Sequence, residues 1–291
     1  MKEGTDMITG TTRLTGLLGS PVSHSISPLM HNEAFHLLGL DYRYLCFDVG
    51  TEDLKCVTDA FRVMNVRGFN LTMPDKTRMF ELADEVSTAA ALIGAVNTVV
   101  VENGRLLAHN TDGTGYMRAV ADAGYDLTGK HMVLLGGGGA ATAIAVQAAL
   151  DGLKRITIVN RAGKSFQKAQ TLADTLCQKT DCLVDTCALE DTQTLRQLLQ
   201  DAAILTNATP VGMAPNEDAC PLSDPSMLHP GLFVSDIIYN PRTTRLMEEA
   251  KKRGAATCNG LYMLLYQGAE AFELWTGQPM PIAPIKEKFF S

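Results

Sequence analysis

HMVLLGGGGAATAIAVQAAL, residues 131–150, is the stretch on which the fold turns. An apolar run from His131 to Leu135 meets four glycines, and an alanine-rich stretch from Ala140 to Leu150 follows. The run reads as a buried strand and the alanine-rich stretch as a helix. Between them GGGGAA, Gly136 to Ala141, satisfies G-x-G-x-x-A. Placed between strand and helix, this pattern is the fingerprint of a dinucleotide-binding βαβ unit. Glycine lets the backbone approach a pyrophosphate, and the N–H groups of the helix start bind its charge. Gly136, Gly137, Gly138, Gly139 and Ala140 are the candidate pyrophosphate contacts. In isolation the pattern would be only a flexible turn.

Downstream the alternation continues. Ile156–Val159 reads as a strand and Ser165–Gln178 as a helix. Further strands are expected at Ala202–Thr206, Leu232–Asp236 and Ala255–Thr257, with helices between them. Strands and helices in this rhythm imply a parallel sheet covered on both faces. A helix from Leu261 to Trp275 and a proline-rich end close the chain.

The strand at Ile156–Val159 ends in NRAGKS. An acid at this point would hold a ribose 2′-hydroxyl and repel a 2′-phosphate. Asn160 takes its place, with Arg161 and Lys164 beside it. Neutral and basic groups here tolerate a 2′-phosphate, so all three are candidate contacts to the adenosine ribose of NAD or NADP. Without the fingerprint they would read as a solvated basic loop.

Upstream the pattern is less regular. Residues 1–10 read as a polar, frayed lead-in. Leu14–Gly19 and Tyr42–Val49 read as strands, as do Gly68–Met73 and Val96–Val101. Ser27 is a plausible N-cap with Pro28 at the first helical position. Leu29, Met30, Ala34, Phe35, Leu37 and Leu38 then form an apolar face, and Gly39 closes the helix. Helices are also expected at Leu54–Met64 and Gly115–Ala123, with a small-residue helix end at Ala89–Gly94. No clear parallel rhythm emerges in this half.

Composition narrows the class. The hydrophobic fraction is 46% and the charged fraction 20% over 291 residues, which fits a globular chain of two domains. The net charge of −7 disfavours nonspecific nucleic-acid binding. No apolar run reaches the roughly 18 residues that span a bilayer, and the N-terminus lacks an apolar signal core. A cytoplasmic location is the default expectation. The seven cysteines form no CxxC pair, so ordinary thiols are expected rather than a zinc site or disulfide framework.

Eight segments, in this order, carry a resemblance: HSISPLMHNEAF, GFNLTMPDK, GAVNTVV, HNTDGTGY, LLGGGGAATA, NATPVGM, DIIYNPRTT and NGLYMLLYQGAEAF. The chain resembles the shikimate/quinate dehydrogenase family over nearly its full length. The segments around the glycine loop and NATPVGM are most similar to the quinate/shikimate branch that uses NAD or NADP. The resemblance implies an α/β fold with a doubly wound Rossmann sheet and a separate α/β substrate-binding domain completed by the C-terminal helix. The expected division is 1–113 with 262–291 for substrate binding and catalysis, and 114–261 for NAD(P), with the active site in the cleft. The implied activity is NAD(P)-dependent interconversion of shikimate and 3-dehydroshikimate, and of quinate and 3-dehydroquinate, in the chorismate pathway of aromatic amino acid biosynthesis.

The resemblance also assigns residues. Lys76 and Asp112 correspond to the catalytic acid/base pair. Ser25 and Ser27 correspond to hydroxyls that bind the substrate carboxylate. Thr72, Asn97 and Gln267 correspond to groups that hydrogen-bond the ring hydroxyls, and Tyr239 to a position beside substrate and cofactor. Thr206 through Met213, Ile237 and Gly260 are expected to line the nicotinamide half. Unaided, Asn97 reads as a turn residue, Gln267 as helix surface and Tyr239 as core. His24 and His109 are expected either to be structural or to support the site residues from behind. No metal is expected, because lysine supplies the charge that zinc supplies in other alcohol dehydrogenases. The expected partner is a small cyclic hydroxy acid, with neither nucleic acid nor membrane, and the expected state is a monomer or homodimer.

Two departures stand out. Strict NADP-dependent members carry NRT followed three residues later by arginine. Ala162 and Ser165 stand at those positions here, with Lys164 one place earlier. Lysine lacks arginine's planar fork, so a preference for NADP is weakened and dual cofactor use is expected. Pro210 stands where other members place a polar side chain, and it donates no backbone hydrogen bond. An analogue such as an aminoshikimate is an alternative substrate. A non-catalytic sensor of NAD(P) and a cyclic acid is the alternative from another class, and a pure binder has no need of Lys76 with Asp112.

Overall fold

A computed structural model describes residues 7–291, so residues 1–6 of the expected lead-in lie outside the described residues. The chain divides into two compact units, residues 1–111 with 265–291 and residues 112–264. Asp112, Gly113 and residues 262–264 thus fall in the second unit, a small shift from the expected boundaries. Among the described residues no helix is long and apolar enough to cross a membrane.

The first unit begins with β1 (Arg13–Gly19), α1 (Ser27–Leu38), β2 (Tyr42–Asp48), α2 (Leu54–Val63) and β3 (Gly68–Leu71). It continues with α3 (Lys76–Leu82), β4 (Glu85–Val86), α4 (Thr88–Ile93), β5 (Thr98–Glu102) and β6 (Arg105–His109). The sheet order is β2-β1-β3-β5-β6-β4. β1 lies parallel to both β2 and β3, whereas β5 runs antiparallel to β3 and β6. A parallel rhythm therefore exists over the first three strands. The short hairpin at Asn103–Gly104, where both residues have positive φ, ends it.

The second unit starts with α5 (Asp112–Asp122), earlier than Gly115, and Asp112 puts its charge at the positive helix end. Then come β7 (His131–Leu135), α6 (Gly139–Leu150), β8 (Arg155–Asn160), α7 (Lys164–Lys179), β9 (Leu183–Ala188), α8 (Thr192–Asp201) and β10 (Ile204–Asn207). β11 (Phe233–Asp236), α9 (Arg245–Lys252) and β12 (Thr257–Cys258) complete it. All neighbours pair parallel in the order β12-β11-β10-β7-β8-β9. The order reverses between β7 and β10, where a doubly wound sheet opens its ligand crevice. Every residue of β10 and β11 is buried, as a sheet covered on both faces requires.

α10 (Leu261–Thr276) and α11 (Ile282–Phe289) end the chain. α11 lies in the proline-rich end, where no helix was expected. Pro281 precedes the helix and Pro284 lies in its first turn, where a missing N–H costs nothing. Three further corrections concern α1. Ile26, not Ser27, precedes it, and Ser27 is its first residue. Leu29 and Leu37 are exposed, and His31 takes a place on the buried face instead. Gly39 does close the helix, in the left-handed conformation. α3 was not foreseen, because Pro74 reads as a stop, yet the helix begins two residues after it. Lesser corrections start β5, β10 and β12 two residues later than expected.

Trp275 joins α10 to the first unit's sheet. Its indole N–H donates to the Val99 carbonyl at 2.9 Å, and its ring stands over Gly68. A methyl group at Gly68 would lie 2.2 Å from Trp275 Nε1 and 2.4 Å from the Val99 oxygen. Gly68→Ala is expected to destabilise this unit by about 1–3 kcal/mol through overpacking. Trp275 is the single tryptophan of the chain, so its fluorescence in urea reports the change. An unchanged midpoint would refute the tie.

His31 is packed inside an aromatic cage. It stacks on Tyr44 at 4.5 Å and lies 5.3 Å from the Trp275 ring and 6.2 Å from Phe272. Neither ring nitrogen has a hydrogen-bond partner, and burial pushes the imidazole down to about 3. The unfolded chain binds a proton here below pH 6.5 and the folded chain only near 3. Stability from the neutral ring is therefore complete above pH 6.5 and is lost as pH falls toward 3. The slope approaches about 1.4 kcal/mol per pH unit. His31→Phe should remove this slope, and a variant whose urea stability tracks the parent across that window would disprove the assignment.

Candidate functional site

Six of the expected substrate residues lie in the first unit. Ser25 and Ser27 sit where the chain enters α1, and the Ser27 N–H donates to Ser25 Oγ at 3.2 Å. Ser25 is half-buried and Ser27 buried. The Ser25 hydroxyl also meets the Cys46 thiol, which burial pushes up. The Ser27 hydroxyl meets the Tyr44 phenol. Tyr44 donates to Asn70 Oδ1 at 2.8 Å, and Asn70 Nδ2 donates to the Asn97 carbonyl at 3.1 Å and to Thr98 Oγ1 at 3.0 Å. Asn97 Oδ1 in turn accepts from the Thr111 N–H at 2.8 Å and from Thr98 Oγ1 at 3.0 Å. A buried polar chain thus runs from Ser27 through Tyr44 and Asn70 to Asn97. Such a chain fixes its end groups in one orientation.

Thr72 and Lys76 flank the turn between β3 and α3. The Thr72 N–H donates to the Leu18 carbonyl at 3.0 Å, and its methyl group lies against Gly19. A side chain at Gly19 would meet that methyl at 2.4 Å, so glycine is required for the approach. Lys76 is half-buried at the first position of α3, and its carbonyl accepts from the Val96 N–H at 2.9 Å. The same segment of backbone therefore fixes both Lys76 and Asn97. Gln267 is half-buried on α10. His24 is exposed, and His109 pairs with Thr98 across β5 and β6.

The second unit holds the expected dinucleotide residues. Gly136 ends β7 with φ +117°, and a Cβ there would lie 2.8 Å from the Ala208 carbonyl. Gly137 packs on Asn160, whose Nδ2 would be 2.4 Å from an added Cβ. Gly138 and Gly139 face open space, and α6 begins without a side-chain cap. The Asn160 side chain accepts from the Arg161 N–H at 3.0 Å, while its buried Nδ2 has no partner. Free helix N–H groups, bare glycine backbone and an unpaired amide donor fit an anionic dinucleotide. Arg161 and Lys164 are exposed at the rim of this platform.

Two loops beside β10 and β11 are held by Asn207, Asp236 and Thr244. Asn207 Nδ2 donates to Asp236 Oδ1 at 3.1 Å and to the Val211 carbonyl at 3.3 Å. Asn207 Oδ1 accepts from the Thr209 N–H and hydroxyl at 3.1 and 2.7 Å. Asp236 accepts from Thr244 Oγ1 at 2.7 Å and from the Ile238 N–H at 3.1 Å. Burial pushes the Asp236 carboxyl up, and these donors counter it. Gly260 packs on Ile237 so closely that a Cβ would lie 1.8 Å from its carbonyl oxygen. Tyr239 is exposed, against the core placement its residue type suggests. Asp112 is half-buried at the start of α5.

Thr206 departs from its expected place. It is fully buried, and its hydroxyl pairs with the Tyr116 phenol at 2.5 Å. Its side chain belongs to the core under the loop, not to a ligand-lining surface. Asn207 and Asp236 lie inside quoted motifs, but nothing in their residue type separated a loop brace from a ligand contact. Glu190 was missed altogether. It enters from the end of β9 and accepts from the Ala162 N–H at 3.3 Å. Among the described residues no group of three or more His, Cys, Asp or Glu is placed to hold a metal.

Residues 17–99 match the model of the shikimate dehydrogenase substrate binding domain, and residues 260–288 that of the shikimate 5′-dehydrogenase C-terminal domain. A shikimate dehydrogenase (NADP(+)) of Listeria monocytogenes is 51% identical over 98% of both chains. A quinate/shikimate dehydrogenase of Escherichia coli is 43% identical over 96% of this chain and 97% of its own. The crystal structure of a Listeria monocytogenes shikimate 5-dehydrogenase with shikimate and NAD superposes with a TM-score of 0.94 at 52% identity, covering 97% of this chain and 98% of that one.

The glycine turn makes a direct prediction. Gly136→Ala places a side chain at φ +117° and against the Ala208 carbonyl. Dinucleotide affinity should fall at least about tenfold, since strain of about 1–2 kcal/mol must be relieved by moving the loop. Titration of NADH or NADPH fluorescence measures it, and retained affinity would show that the turn is not the platform.

Proposed function

Because the chain belongs to the shikimate/quinate dehydrogenase family, we propose that it oxidises shikimate to 3-dehydroshikimate and reduces it back with NAD or NADP, that it accepts quinate as well, and that Lys76 and Asp112 are the acid/base pair. The observation that supports this reading most is the buried chain from Ser27 to Asn97. It ties a carboxylate-binding hydroxyl at the start of α1 to the backbone of Asn97 beside β5. The first unit is then the substrate-binding part and the second the NAD(P)-binding part.

NAD(P) supplies the hydride acceptor when bound. The residues of this chain supply everything else. Ser25 and Ser27 take the substrate carboxylate, and the start of α1 adds a favourable dipole. Thr72, Asn97 and Gln267 take ring hydroxyls. Groups of this kind reject an analogue that lacks a hydroxyl, because it leaves them unpaired. Lys76 in its neutral form takes the proton of the reacting hydroxyl, and in the reverse direction its ammonium returns that proton to the alkoxide. Asp112 is its partner in the acid/base pair. Asn160 and Arg161 hold the adenosine ribose, and the exposed Arg161 favours a 2′-phosphate where one is present. Tyr239, Ile237, Gly260 and the loop after Thr206 border the nicotinamide.

Initial rates with shikimate and with quinate, each with NAD+ and NADP+, test the activity. Turnover of shikimate with either cofactor is expected, with quinate turned over as well. Lys76→Ala should lower kcat by about 10²–10⁴-fold while cofactor affinity stays unchanged. A variant that keeps its turnover would remove Lys76 from the chemistry. Arg161→Ala should shift the ratio of kcat/KM toward NAD+, and an unchanged ratio would remove Arg161 from recognition of the 2′-phosphate.

A further inference from the structure

The structure assigns Glu190 as the acidic selector against a 2′-phosphate on the cofactor. The inference rests on the NAD(P) reading above. An acid that discriminates NAD from NADP ordinarily stands at the end of the second strand of the βαβ unit. β8 is that strand, and it ends in Asn160, a neutral residue. The negative charge is supplied from the neighbouring strand instead. β9 runs parallel to β8 with Asn160 opposite Ala188, and the Leu189 N–H donates to the Asn160 carbonyl at 2.9 Å. The next residue is Glu190, and its Oε2 accepts from the Ala162 N–H at 3.3 Å. A carboxylate thus stands on the turn that immediately follows Asn160, where a 2′-phosphate would seek donors.

The neighbouring acids are engaged elsewhere. Asp191 caps α8, accepting from the Thr194 N–H at 3.0 Å and its hydroxyl at 2.7 Å. Asp185 is held by Arg155 at 2.6 Å. Glu190 alone of the three faces the cofactor turn, and it is exposed, so its charge acts on a ligand and not on the core. It has two effects on a 2′-phosphate. It occupies the Ala162 N–H, a backbone donor that a phosphate would otherwise use. It also opposes a group that carries about −1.5 to −2 charges. Arg161 and Lys164 attract the same phosphate, and Glu190 offsets them. A ribose 2′-hydroxyl is neutral and can donate, so NAD loses nothing. Dual cofactor use then reflects two opposed charge sets on one turn.

The test compares Glu190→Gln and Glu190→Ala with the parent in two measurements. The first is kcat/KM with NAD+ and with NADP+. The second is inhibition by 5′-AMP and by 2′,5′-ADP, which differ only in the 2′-phosphate. Glutamine keeps an oxygen acceptor for the Ala162 N–H and removes the charge. It should raise NADP+ use and 2′,5′-ADP affinity about tenfold, the scale of one charge across a solvated turn. Values for NAD+ and 5′-AMP should hold within about twofold. The gain should shrink in high salt, as interactions between exposed charges do. An unchanged ratio of 2′,5′-ADP to 5′-AMP affinity in the glutamine variant overturns the inference. So does a change seen only in the alanine variant, which would make Glu190 a brace for the turn. Binding of 5′-AMP to the parent separates this inference from the one beneath it. Its absence overturns the cofactor reading together with the role of Glu190, whereas its presence with unchanged selectivity overturns the role of Glu190 alone.

Discussion

The close approach of Gly136 to the Ala208 carbonyl is the constraint on which the second unit depends. β7 and β10 are neighbours, and the chain leaves them in opposite directions. The turn after β7 has to pass directly beside the end of β10, with the Gly136 N–H on the Val159 carbonyl and the Ala208 N–H on the Leu135 carbonyl. No side chain fits at Gly136, and its φ of +117° suits only glycine. The consequences are geometric. α6 starts with its N–H groups open, Asn160 closes over Gly137, and the loop after β10 is folded back by Asn207. The same backbone approach that closes the sheet leaves an uncapped helix start and open glycine backbone at its end.

The first unit rests on a different kind of constraint. Its sheet is sealed by Trp275, and beside that seal a neutral histidine sits in an aromatic cage without polar partners. Tyr44 stacks on that histidine with its ring and reaches the polar chain with its hydroxyl. One side chain therefore connects the apolar core to the groups that would hold substrate. Burial makes each polar group along this chain costly unless paired, so the network tolerates few arrangements. Rigidity at Ser27 and Asn97 comes from that intolerance.

Charge around the turn after Asn160 follows neither strand alone. Read along β8, the turn is neutral and basic, and it favours a phosphate. The adjacent strand brings a carboxylate to the same turn, through a parallel register that places Ala188 opposite Asn160. The charge at this turn is a sum over two strands that are separate in sequence.

By itself the sequence determined the local elements whose signals are local. The strand His131–Leu135, the glycine turn and the alanine-rich helix followed from period and residue type, and β7 begins and ends where the pattern said. The closing turn at Gly39 and the long C-terminal helix were equally legible. The candidate substrate residues were legible only through their resemblance to a family, since a lone serine or asparagine carries no signature. Tertiary structure decided the rest. It buried Thr206 against Tyr116, exposed Tyr239, drew Tyr44 and Asn70 beneath Asn97, and set Glu190 on the turn after Asn160. Each of these depends on which residues from distant segments meet. A hydrogen bond or a charge contact is a property of a pair, and a sequence names only one member at a time.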